Sequence, residues 1–123
     1  MTTPGAAGWI EFTGPDRAAA QKFYSEVVGW SLDAMPMKDG GSYAAIRVQE
    51  EAIGGFSPTP EASGSWTAFI TVADVDDSVK RATDLGARVL SEPQDSPGVG
   101  RMATLLDPQG ARFALVTYES MRA

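Results

Sequence analysis

Glu11 stands in the stretch Trp9-Ile10-Glu11-Phe12-Thr13, where residue types alternate. A period of two is the mark of a strand, so Trp9, Glu11 and Thr13 face one side and Ile10 and Phe12 the other. A carboxylate beside an indole loses hydration. That loss favours the neutral acid and brings the group into the range useful for proton transfer. Glu11 is therefore the candidate catalytic residue, as general acid or base, or the anchor for a cationic ligand. The competing reading is a solvated acid at a strand edge. A second set, Trp9, Met35, Met37, Tyr43, Phe69 and Met102, could line an apolar pocket. Aromatic plates and flexible thioethers suit a flat organic guest, although each could equally be core or dimer packing. Arg101 and Arg112, expected near each other across the last hairpin, and Arg47 in a comparable place, could meet an anion. Solvated strand faces commonly carry such residues.

The absences narrow the chemistry more than any residue present. The 123-residue chain has no histidine and no cysteine. Imidazole catalysis, thiolate catalysis, disulfides and zinc-thiolate sites are all excluded. The formal net charge is −6 and no Lys/Arg-rich run occurs, so a nucleic-acid surface is not expected. No apolar run approaches the roughly 20 residues of a membrane helix. The opening MTTPGAAG lacks the pattern of a secretory signal. The expected location is the cytoplasm.

The elements that must hold these residues can be read in order. Residues 1–7 are expected to be a flexible lead-in. After the first strand, Gly14-Pro15-Asp16 breaks the pattern and RAAAQKFYSEVVGW reads as a helix, with Ala20, Phe23, Tyr24 and Val27 on one face. Asp16 suits the N-cap and Gly29 the stop. Trp30 to Asp33 reads as a strand, AMPMKDGG as a loop, and SYAAIRV and AIGGF as strands about a turn at 49–51. SPTPEASGS is a linker. The order then repeats: a strand from Trp66 to Val72, a helix opened by Asp74 with Val75, Val79, Ala82 and Leu85 on one face, and a strand ending at Pro93. Two more strands, GRMATLLD and ARFALVTY, are joined by a turn at Asp107-Pro108-Gln109-Gly110. Gly54-Gly55 permits a bulge or a close backbone approach. Asp16 and Asp74 coincide at an offset of 58, which argues for caps and against catalysis.

A strand-helix-strand-strand-strand unit of this size has an open sheet face and is marginal alone. Two units can turn those faces together and enclose a cleft. The expected fold is α+β, with two βαβββ modules at residues 8–58 and 65–118 forming paired curved sheets around a cleft, a single domain over 8–118.

The segments FTGPDRAAAQKFYSEVVGW, TVADVDDSVKRATDLGARVL and GVGRMATLLDPQGARFALV together resemble the vicinal oxygen chelate superfamily, which includes glyoxalase I, bleomycin-resistance proteins and extradiol dioxygenases. The resemblance covers residues 8–118. It implies a homodimer and, in members with metal chemistry, a divalent ion held from the first and last strands of each half. Those positions fall here at Trp9 and Thr67 and near Gly55 and Ala114. None supplies a carboxylate or imidazole, so neither metal nor cofactor is expected. The expected function is metal-independent binding of a small organic molecule, aromatic or cationic, in the cleft. The alternatives are a metal-independent isomerase or lyase using Glu11, and a degenerate member with an assembly role.

Overall fold

The computed structural model describes residues 2–37 and 41–121. The described elements run β1 (Ala7–Thr13), α1 (Arg17–Val28), β2 (Ser31–Pro36), β3 (Ser42–Val48), β4 (Glu51–Phe56), β5 (Ser65–Thr71), α2 (Val75–Asp84), β6 (Arg88–Ser96), β7 (Gly100–Leu106) and β8 (Arg112–Tyr118). A 3-10 turn, Glu119–Met121, follows. Strand, helix and three strands thus occur twice in succession, as the sequence predicts. The chain packs as two compact units. One is Ile10–Thr67; the other comprises the described residues of Met1–Trp9 and Ala68–Ala123.

In the unit Ile10–Thr67 the strand order is β2-β3-β4-β1. Strands β2, β3 and β4 are antiparallel neighbours, and β1 runs parallel to β4. Asp16 caps α1, its carboxylate accepting from the Ala19 amide at 3.0 Å, and Gly29 ends it in the left-handed region at φ 75°. The helix lies on the sheet face that carries Phe12, Leu32, Ala44, Ile46 and Phe56. Tyr24, Trp30 and Trp66 complete this core. The half-buried Trp66 indole donates to the Tyr24 hydroxyl at 3.1 Å, so its polar edge among the rings is satisfied. A bulge between Ile46 and Arg47 turns Ile53 into the same core.

The other unit repeats the plan in the order β5-β8-β7-β6. Asp74 caps α2 through the Asp77 amide at 3.1 Å. Val75 and Val79 of α2 pack on Ala103, Leu105 and Leu115. Arg101 ties β7 to the start of α2, with both Asp76 oxygens at 2.6 and 3.1 Å and Asp95 at 3.3 Å.

Four expectations need correction. The predicted α1 face is split: Ala20 and Tyr24 reach the core, while Phe23 and Val27 are 56% and 62% exposed. Leu85, placed on the buried face of α2, is its C-cap and is 76% exposed. Strand β2 runs on through Met35 to Pro36, and β6 through Pro93 to Ser96, because each pairs along its antiparallel neighbour. The lead-in is tied down: the Gly5 amide donates to Thr71 and the Thr71 amide to Ala6, at 2.7 and 2.8 Å. Residues 38–40 of the expected loop lie outside the described residues. No helix among the described residues is long and apolar enough to cross a membrane.

Candidate functional site

Pairing register decides which side chains share a face. Across the unit Ile10–Thr67, Glu11 of β1 stands opposite Gly55 of β4, and Gly55 opposite Ala45 of β3. Ala45 in turn pairs with Asp33 of β2, and Tyr43 with Met35. Side chains alternate along each strand, so Glu11, Tyr43 and Met35 all stand on the face away from α1. Glu11 and Tyr43 are half-buried; Met35 is exposed. The Tyr43 hydroxyl donates to Glu11 Oε2 at 3.2 Å. Its ring lies over Gly55, where a Cβ would fall among ring atoms Cε2, Cζ and the hydroxyl oxygen. Met37 follows the end of β2 and closes its hairpin, its amide donating to Gly41 at 2.8 Å.

The remaining candidates belong to the other unit. Phe69 pairs with Ala114 and Met102 with Val116, so both side chains share the face opposite the α2 core. Both are half-buried, and Ala114 and Val116 between them are fully covered. Tyr118 continues the same face at the end of β8, and burial raises its phenol above the usual tyrosine range. Trp9 is also half-buried in this unit. The candidate residues therefore form two groups, Glu11, Tyr43, Met35 and Met37 in one unit and Trp9, Phe69 and Met102 in the other.

The arginines do not gather. Arg101 pairs with Thr117 and Arg112 with Leu106, toward opposite ends of the β7–β8 hairpin. Arg101 is committed to its two aspartates, and Arg47 to Asp33 at 3.3 Å and to the Glu50 carbonyl at 2.6 Å. Asp107 holds its turn, accepting from the Gln109 and Ala111 amides at 2.8 and 3.0 Å.

The metal implied by the resemblance does not fit the residues at its positions. Trp9 and Ala114 carry no donor of the needed kind, Thr67 offers a buried hydroxyl, and the space above Gly55 is filled by the Tyr43 ring. Among the described residues no three of the His, Cys, Asp and Glu groups gather as ligands for an ion.

Sequence reasoning singled out Glu11 and Tyr43 separately but missed their bond. Gly54-Gly55 was the available signal, since a glycine pair inside a strand announces a close approach.

Two βαβββ units, each with one helix on one sheet face, define an α+β architecture with an internal repeat. A profile of the glyoxalase-like domain matches residues 9–116, and the chain belongs to that family, within the vicinal oxygen chelate superfamily. CFP32 of Mycobacterium tuberculosis, provisionally named a glyoxylase, is 36% identical over 104 residues, which are 83% of this chain and 39% of CFP32. The anthracycline biosynthesis protein DnrV of Streptomyces peucetius is 29% identical over 128 residues, covering 91% of this chain and 46% of DnrV. The chain thus spans less than half the length of these relatives. Among solved structures, a variant methylmalonyl-CoA epimerase of Streptomyces coelicolor superposes with a TM-score of 0.65 at 22% identity, covering 96% of this chain and 97% of that one. A variant 4-hydroxymandelate synthase of the same organism gives 0.67 at 19% identity, covering 94% of this chain and 39% of that one. At these identities the two structures speak to the fold.

Proposed function

We propose that this chain binds a small organic molecule, aromatic and cationic, without a metal ion. The carrying observation is the pair Glu11–Tyr43: a half-buried carboxylate held by a phenol on the strand face opposite the helix. A partly desolvated carboxylate next to an aromatic ring attracts an organic cation by charge and by the ring face together. In the other unit, Phe69 and Met102, with Trp9, offer an apolar face of their own that suits the flat part of an organic molecule. The protein, with its modules 8–58 and 65–118, would act as a cytoplasmic homodimer. The name of DnrV supports an aromatic guest, because anthracyclines are flat polycyclic compounds.

Equilibrium binding to a panel of basic aromatic compounds, followed by Trp fluorescence, tests the reading. Saturable one-to-one binding, weakened in Glu11→Gln, is expected. Uniform failure of folded protein to bind would reject it. Elemental analysis of protein purified without chelator should find well under one equivalent of any transition metal; stoichiometric metal would refute metal independence.

A second reading is favoured by the same pair. A carboxylate and a phenol within hydrogen-bond distance are the minimum for proton transfer at a carbon acid. In an isomerase or lyase of this kind Glu11 would take the proton from the carbon acid and deliver it to the product or leaving group, while Tyr43 would hold the carboxylate in place. Glu11→Gln would then abolish turnover and leave ligand affinity largely intact. An unchanged rate would end this reading.

A further inference from the structure

The Tyr43–Glu11 bond crosses a strand. Tyr43 belongs to β3 and Glu11 to β1, with β4 between them. Neighbouring strands lie about 4.8 Å apart, so the phenol must pass over a full strand to reach the carboxylate. It can do so because the β4 residue opposite Glu11 has no side chain. Any Cβ at position 55 would occupy the volume of the ring itself. Gly55 is therefore the seat of the ring, and the ring is the lever that holds Glu11.

We propose that Tyr43 is a positioning residue: seated on Gly55, it holds the Glu11 carboxylate in one orientation for the cationic group of the guest. This rests on the reading that Glu11 anchors the ligand, and it adds which residues make that anchor effective. A glutamate has three side-chain torsions and loses rotamer freedom when it binds. A carboxylate already held by a donor has lost part of that freedom before the guest arrives, so the ordering cost at binding is smaller. Tyrosine suits the task. It has two torsions to fix, and its ring is pinned by the bare strand beneath it. A tyrosine serving only to cover the sheet would keep that role as phenylalanine, since the ring would still fill the space above Gly55.

The test has two parts. In protein labelled with ¹³C-glutamate, the Glu11 carboxyl resonance is the one missing in Glu11→Gln. It should move in Tyr43→Phe, which keeps the ring and loses the donor, and also in Gly55→Ala, which keeps the donor and unseats the ring. An unmoved resonance in Tyr43→Phe overturns the proposal, whatever the protein binds. The second part uses 9-aminoacridine, a cation at neutral pH, and acridine, uncharged there with the same ring system. Wild-type protein should prefer the cation. Glu11→Gln should erase the preference. Tyr43→Phe and Gly55→Ala should reduce it roughly 3–10-fold, the ordering cost of one rotamer-rich side chain, with acridine affinity nearly unchanged. Preference kept in Glu11→Gln defeats the anchoring reading. Preference lost in Glu11→Gln but kept in both other variants leaves that reading standing and overturns the positioning role. Circular dichroism of Tyr43→Phe matching wild type shows that the comparison is between folded proteins.

Discussion

Two adjacent glycines in β4 do different work. A Cβ on Gly54 would meet the Ile10 carbonyl oxygen and Cγ1, and a main-chain atom of a paired strand cannot move aside. A Cβ on Gly55 would meet the outer end of the Tyr43 side chain, which can swing away. Gly54→Ala should therefore cost about 1–3 kcal/mol of stability, as overpacking does. Gly55→Ala should cost clearly less and disturb the Glu11 face instead. Urea unfolding of the two variants measures the contrast, and equal losses would contradict it. Tyr118 supplies a second test at this scale. Burial raises its phenol in the folded chain, so the unfolded chain releases that proton first as pH rises. Its contribution is complete below the ordinary tyrosine value of about 10 and declines above it. Unfolding midpoints should fall as pH rises above about 10, and less steeply in Tyr118→Phe. The Glu11–Tyr43 bond itself was not legible in the sequence. Both residues stood out, but their meeting depends on β4 lying between β3 and β1, and spacing within one strand carries no such information.

Helix ends were the most readable elements. Asp16 and Asp74 occupy the same place in the repeat, and both accept from the amide three residues on. The two caps differ in their support. The first turn of α2 also carries Asp76 and Asp77, whereas that of α1 carries no acidic residue. Acidic groups there favour the helix dipole, so α2 has a reserve that α1 lacks. Asp16→Ala should cost about 1 kcal/mol and Asp74→Ala less, read as shifts in the denaturant midpoint at constant slope. Helix faces were less readable. Phe23 and Val27 fit the periodicity of a buried stripe, yet of the four residues on that face only Ala20 and Tyr24 pack against the core, beside Trp30 and Trp66. Tyr24 makes ring contacts with Phe12, Trp30, Phe56 and Trp66 at centroid distances of 5.1–6.3 Å. The space beside Tyr24 is taken by Trp30 and Trp66, which come from outside the helix, and periodicity within the helix cannot reveal that. Strand ends failed for a related reason. Pro36 and Pro93 read as breakers, but each tolerates a place in a strand, β2 and β6, that ends its run of strand neighbours, where a missing amide need not break a ladder.

At the scale of the whole chain, the repeat seen in the sequence and the packing seen in space divide the residues differently. The repeat separates residues 8–58 from 65–118. The unit Ile10–Thr67 continues past the linker to take Ser65, Trp66 and Thr67 from the start of β5. Trp66 is no peripheral addition. Its ring lies 5.4 Å from Phe12, 5.1 Å from Tyr24, 5.7 Å from Trp30 and 5.8 Å from Phe56, and its indole bonds Tyr24. Ser65 meets Thr13 at 3.3 Å, and the linker bonds back through Glu61 to Gly14 at 3.2 Å. A fragment cut at the repeat, residues 8–58, would therefore lack the central ring of its own core. Loss of a fully buried tryptophan costs about 3–5 kcal/mol, and even part of that is a large share of what a domain this small can hold. Residues 8–58 should show no near-ultraviolet circular dichroism and no cooperative thermal transition. Residues 8–67 should recover part of the aromatic signal, and Trp66→Ala in the longer fragment should remove it again. A shorter fragment that unfolds cooperatively would show that the sheet and helix suffice without Trp66. The expected result would mean that the second copy of the repeat furnishes part of the first copy's interior, a dependence that no comparison of the two halves along the sequence could expose.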